Sequence, residues 1–269
     1  MSKVSDDDRK KYLDIIKDYK KTIEDIETRE SLILSVLDRD PTGAEYKKLR
    51  LADDNLNLVS YFVLMNTLSV NLLDVKNEAY LNNARKLCYK VIIYLEQVVT
   101  NYIDVSYSEF DDKLDLISSY DHNQRWALIN KMGFAIELVL EGYGDNSKWK
   151  WTFVELEARF ATIVKNLLNQ KTLFKDMDPN AEGYATKMAH LGLVRKLLDQ
   201  AANRYREKYE LSTLRFDDFR LAIKYLGALR LLSIAINRAS DAEAIKKKME
   251  IWNQKLENDL KRKDIADKQ

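Results

Sequence analysis

The sequence predicts an all-α fold: an elongated antiparallel bundle of about eight or nine helices, either one continuous domain or two fused, pseudo-repeated sub-bundles. Three observations carry this. Only two prolines and seven glycines occur in 269 residues, so little interrupts helical backbone. Apolar residues recur at steps of three and four through most of the chain. No useful length alternates apolar and polar residues as a half-buried strand would.

Apolar residues make up 46% and charged residues 32%, which suits a soluble, helix-rich chain with a substantial core. Lys+Arg (44) and Asp+Glu (43) nearly cancel, so no global field recruits nucleic acid or anionic membrane. The single cysteine, Cys88, excludes an intramolecular disulfide; its apolar neighbours Leu87, Val91 and Ile92 make it a buried, inert thiol. The polar, acidic start, Met1 to Asp8, has no apolar leader core, and a cytoplasmic location is expected.

Residues 6–37 carry a narrow stripe: Tyr12, Ile16, Tyr19, Ile23, Ile26, Glu30, Ile33, Leu37. Its alternating four- and three-residue steps are coiled-coil-like, and Glu30 breaks it at a position expected to be solvated or salt-bridged. A second helix is expected from Asp40-Pro41 to about Leu73. Its Asn55–Leu73 stretch has no formal charge. Asn55, Asn57, Asn66 and Asn71 are costly in hydrocarbon, so this reads as a central core helix rather than a membrane span. A third helix follows from Glu78 to about Ile103. Ser106-x-x-Glu109 and Asp121-x-x-Gln124 have capping-box spacing and open further helices. The second of these, to about Glu141, has the stripe Trp126, Ile129, Met132, Phe134, Ile136, Leu138, Val139.

Residues 141–147 form the strongest loop. With 142–151 as connector, it divides an N-terminal half, 1–141, from a C-terminal half, 152–264. Thr152-x-x-Glu155 is expected to cap a helix to about Phe174, with Trp151 and Leu156 as its staple. Asp178-Pro179 opens another to about Leu211, Thr213 another to about Arg238, and Ser240-x-x-Glu243 the last. The last stripe is Ile245, Met249, Trp252, Leu256, Leu260.

Asp38-Arg39-Asp40-Pro41 and Asp176-Met177-Asp178-Pro179 contain both prolines, and each has a tyrosine five residues after the proline, Tyr46 and Tyr184. Asp40, Pro41, Asp178 and Pro179 read as helix caps, because carboxylates cap free N–H groups and proline suits the first turn. Aligning the prolines brings long amphipathic helices into register, a pseudo-repeat of two halves.

Chemistry-bearing constellations are sparse. The two histidines, His122 and His190, lack partners at metal-ligand spacing, and no glycine-rich phosphate loop follows a strand. No catalytic residue, cofactor or metal is expected. Asp111-Asp112-Lys113-Leu114-Asp115 resembles the aspartate-rich DDxxD motif of all-helical prenyl-transferring and terpene-cyclising enzymes. That resemblance implies carboxylates holding magnesium and a diphosphate beside an enclosed apolar pocket. A second matching motif is absent. Basic clusters at Arg195-Lys196, Arg204–Lys208, Lys246–Lys248 and Lys261–Lys263 read as solvated faces, with nucleic-acid binding as the alternative they would serve.

The function expected is a non-catalytic scaffold or protein-interaction subunit in an assembly. The partner would be another protein or a second copy. Tyr12, Ile16, Tyr19 and Ile23 on the first helix, Met249, Trp252 and Leu256 on the last, and Trp149 in the connecting loop are the candidate contacts.

Overall fold

The computed structural model describes residues 4–144, 147–171 and 179–266. Among these the chain is all α-helical, with nine α-helices and no strand. In order they are α1 (Asp6–Arg39), α2 (Ala44–Leu73), α3 (Glu78–Val98), α4 (Asp111–Asp115), α5 (His122–Tyr143), α6 (Lys150–Leu167), α7 (Tyr184–Lys208), α8 (Phe216–Ala235) and α9 (Ala239–Ala266). A 3₁₀ turn, Tyr107–Glu109, precedes α4, and a π turn, Tyr209–Thr213, joins α7 to α8.

The chain divides into two units. Unit 1 comprises Met1–Val99 and Leu116–Trp149; unit 2 comprises Thr100–Asp115 and Lys150–Gln269. The division differs from two consecutive halves in one segment: Thr100–Asp115 belongs with the later helices.

In unit 1, α1 lies antiparallel on α2. Ser5 opens α1 by accepting from Asp8 N, and Asp6, Asp7 and Asp8 complement the positive end of the helix. The stripe of α1 turns inward. Ile16, Ile23 and Ile26 are buried with Leu58 and Met65, and Tyr12, Tyr19, Tyr61, Phe62, Tyr80 and Leu87 close over them. Each isoleucine so buried contributes about 2 kcal/mol. Tyr12 and Tyr80 hydroxyls meet at 3.4 Å. The α2–α3 turn is fixed by Asn66, whose Oδ1 accepts from Asn77 N at 2.9 Å; Asn77 then caps α3 by accepting from Ala79 N and Tyr80 N. Helix α3 ends at Val98, earlier than the apolar run suggests. Cys88 is buried there, and burial pushes its thiol up to about 12.

Unit 2 is built around α6, which is buried continuously from Phe160 to Leu168. Helix α7 packs on α6 and α8, and α8 on α9. Tyr225 of α8 ties the centre: its hydroxyl donates to Ala158 O at 2.8 Å and lies 3.0 Å from Thr162 Oγ1. In the pseudo-repeat register α6 corresponds to α1. Their roles are opposite, since α1 buries one stripe and α6 is enclosed.

The expected caps need correction. Helix α2 starts at Ala44, not at Pro41. Asp40 closes α1, donating its N–H to Val36 O at 2.8 Å, and its Oδ1 accepts from Thr42 N at 2.9 Å. The Pro41 carbonyl accepts from Ala44 N at 3.0 Å. The reversal itself is made by Gly43, at φ +64°, and Lys47 Nζ clamps it by donating to Asp40 O and Thr42 O. In the second copy Asp178 and Asp176 lie outside the described residues. Pro179 sits in a turn, and α7 starts five residues after it, behind Gly183 at φ +75°. Both helices thus start behind a left-handed glycine, two positions apart in the proline register.

Other starts shift too. Helix α6 begins at Lys150, so Thr152 and Trp151 lie inside it and not at a cap and staple. Ser240 lies within α9, which begins at Ala239. Thr213 belongs to the π turn, its hydroxyl donating to Asp218 Oδ2 at 2.7 Å, and α8 begins at Phe216. The boxes Ser106–Glu109 and Asp121–Gln124 are formed.

Candidate functional site

Most of the expected contact residues are spent inside the fold. Tyr12, Ile16, Tyr19 and Ile23 face α2 in the core just described. Trp252 is buried against Phe219 at 5.8 Å between ring centroids, Leu256 is buried, and the Met249 methyl lies over Gly227 of α8. Trp149 folds back onto unit 1: the Arg85 guanidinium sits 4.4 Å over its ring, and Tyr143 meets it edge-on. One neighbouring helix suffices to cover a narrow stripe, and α2 and α8 provide it.

The seams between α1, α2 and α3 are set by buried charge. Glu30 accepts from Asn55 Nδ2 at 2.8 Å, from Tyr94 Oη at 2.9 Å and from the Lys90 ammonium. Burial pushes its carboxyl up, but these bonds outweigh burial and leave it below the usual range. One residue earlier on each helix, Asp54 is buried and bidentate with Arg29, at 2.9 and 3.0 Å, while Arg50 reaches the same carboxylate at 3.2 Å. A slip of α1 along α2 would leave a buried carboxylate unpaired, so these bonds disfavour other registers.

Helix α2 therefore has three covered sides, against α1, α3 and α5. It is long and apolar enough to cross a bilayer by composition alone. The central core position expected of it fails on the remaining side. Asn57 and Ser60 are half-buried there, and Leu64, Thr67 and Asn71 are exposed; all five fall at three- and four-residue steps. A groove of about 440 Å³ runs beside this row, lined by Ile26, Asn57, Ser60, Tyr61 and Leu64. On the α5 side a second, of about 550 Å³, is lined by Val63, Thr67, Val70, Asn71 and Leu138 and also by three charged residues, Asp74, Lys76 and Glu141. Lys131 ties α5 to α2 through Asp53. Phe134 follows Lys131 by three residues and precedes Leu138 by four. It is not the core residue expected of its stripe, since 59% of it is exposed. Leu64 and Phe134 were hidden from sequence reasoning by their apolar character. Asn57 and Asn71, in the charge-free Asn55–Leu73 stretch, were the available signal, whereas Asn55 and Asn66 are buried and hydrogen-bonded.

The aspartate-rich motif does not face an enclosed pocket. Lys171 Nζ lies 2.6 Å from Asp111 and 3.9 Å from Asp115, whose side chain is 70% exposed. The hydrogen bond from Lys171 holds the Asp111 carboxyl below its usual range. An ion pair occupies the place that the resemblance gives to magnesium. Among the described residues no His, Cys, Asp and Glu group is placed to hold a metal ion. His190 is buried, with Nε2 2.8 Å from Val164 O, tying α7 to α6. The most unusual ionisable group in unit 2 is Lys165 of α6. It is buried, 5.0 Å over the Phe110 ring, and burial pulls its ammonium down to about 8 against the opposing field of Asp104.

No curated protein and no solved structure matches the chain. A family match does extend over both units and nearly the whole described chain, from residue 8 to residue 260: the chain belongs to the TP0443 family.

Proposed function

We propose that the chain is a non-catalytic helical scaffold, a protein-interaction subunit that docks a partner protein on the open side of α2. One observation carries this reading. In a chain with 32% charged residues, the outward row of α2 from Asn57 to Asn71, about four helical turns, carries no charge and is flanked by two grooves and by Phe134. Its amides and hydroxyls keep the free surface wetted and offer hydrogen bonds to a partner. Leu64, Val70 and Phe134 supply apolar area. The hydrogen bond from Asn55 to Glu30 and the ion pair of Arg29 with Asp54 resist a slip of α1 along α2, so the face is presented in a fixed shape. The reading includes a cytoplasmic location.

The test is affinity capture from the native source with the full chain, compared with Leu64→Arg and Phe134→Arg. Both sites are at the surface, so circular dichroism and melting should be unchanged. A partner retained by the parent chain and lost from both variants supports the reading. A partner indifferent to both contradicts it.

A further inference from the structure

The second surface that stands out is the end of unit 2 where α7 stops, α8 begins and α9 finishes. We infer that this end is a docking surface for an anionic lipid bilayer. Helix α7 runs into the π turn, closed by Leu214 N donating to Tyr209 O at 3.0 Å. Leu214 then takes φ +50°, where its Cβ crowds the following carbonyl. Glycine or asparagine would make the same bend with less strain. Leu211 and Leu214 are 74% and 69% exposed, so two aliphatic side chains stand in water on a backbone that strains to place one of them.

Helix α9 returns to the same end. Tyr209 Oη donates to Asp259 at 2.9 Å, and Lys263 Nζ lies 5.6 Å from the Phe216 ring centroid. Ile265, two residues on, is exposed. The charge around these aliphatics is one-sided. Glu210, Asp217, Asp218 and Asp259 are each engaged by a cation: Arg206, Arg220, Lys208 and Lys255. Among the described residues Arg215, Lys261, Arg262 and Lys263 form no ion pair, against one acid at this end of α9 also without one, Glu257, so cations remain in surplus; Arg262 adds to the field that lowers Asp259. By sequence, residues 261–269 hold four cations against Asp264 and Asp267.

A bilayer surface uses both features. Lipid phosphates take the arginines and lysines, and the acyl boundary takes the leucines and the isoleucine. Nucleic acid would use the cations alone, and the nearby rings are largely engaged, Phe216 by Lys263. Tyr209 and Phe219 stack on each other at 4.9 Å, and Trp252 lies beneath Arg206 and Lys248.

Co-sedimentation of the full chain with vesicles tests this. Phosphatidylcholine vesicles containing phosphatidylglycerol should bind, and phosphatidylcholine alone should not. Leu211→Asn with Leu214→Asn, and separately Lys261→Gln with Arg262→Gln and Lys263→Gln, should each weaken binding about tenfold. Unchanged helicity and melting show that the fold survives. Failure of the parent chain to bind the anionic vesicles overturns the inference. So does binding that ignores the leucine replacements and is matched by equal affinity for DNA, because that describes a mere polyanion patch.

Discussion

The carboxylate of Glu30 on α1 accepts a hydrogen bond from the Tyr94 phenol on α3 at 2.9 Å, across 64 residues of chain. With Lys90 and Asn55 on the same carboxylate, three helices meet at one charge. Removing it would leave the Lys90 ammonium, itself half-exposed, without its partner and the phenol without its acceptor. Glu30→Ala should therefore cost about 2–3 kcal/mol in urea unfolding, the low end for a buried pair because Lys90 can turn to water. The pH dependence has a definite sign. The folded carboxyl lies below its ordinary 4.5, so its stabilisation is complete above that value and is lost as pH falls through the folded value. The gap between parent and Glu30→Gln should narrow on the acid side of pH 4.5. A gap independent of pH would show that Glu30 acts through packing alone.

Lys165 should behave in the opposite way. Its ammonium is pulled from 10.5 to about 8, so below pH 8 the folded state carries a buried charge at a cost. Stability from this residue rises with pH between about 8 and 10.5, where the unfolded chain still binds the proton and the folded chain does not. Above pH 10 the tyrosines act against it: Tyr209 is raised to about 12, mainly by burial, and its contribution is lost there. Lys165→Met should raise stability at pH 7 by about 2 kcal/mol and abolish the rise between pH 8 and 10. Destabilisation at pH 7 would mean that the Phe110 contact outweighs desolvation.

The glycines give a paired prediction about backbone alone. Gly43 lies at φ +64° with open space where a Cβ would go, so Gly43→Ala costs conformational strain of about 1 kcal/mol. Gly192 is an exposed helical residue of α7, again with open space, and Gly192→Ala should stabilise by about 1 kcal/mol. Thermal melts of the two variants should move in opposite directions. Equal shifts would contradict the assignment of Gly43 as the point of reversal.

Periodicity made the fold class and most helices legible, because a three-four apolar spacing has few other solutions. It also made legible the seam role of Glu30, a lone carboxylate inside an apolar stripe. The helix starts were misread where two local devices compete. Asp-Pro is a good cap, but Gly43 and Gly183 can take a left-handed conformation that aspartate-proline cannot, and the helices start behind them instead. Stripe counting also misplaced Phe134, since one helical face wide enough for a core extends to residues at its rim. The coverage of α2 depends on where α5 docks, through Lys131 and Asp53 seventy-eight residues apart, and no local pattern encodes that.

The open side of α2 is the centre of the account, and site-specific photocrosslinking in the native source tests it most directly. A photoreactive residue placed at Leu64, at Phe134, or at the exposed control site Glu243 on α9 would be irradiated in the full-length chain. The account predicts one common protein adduct from positions 64 and 134 and none of that mass from position 243. Adducts absent from both 64 and 134, or equal at all three positions, would contradict it.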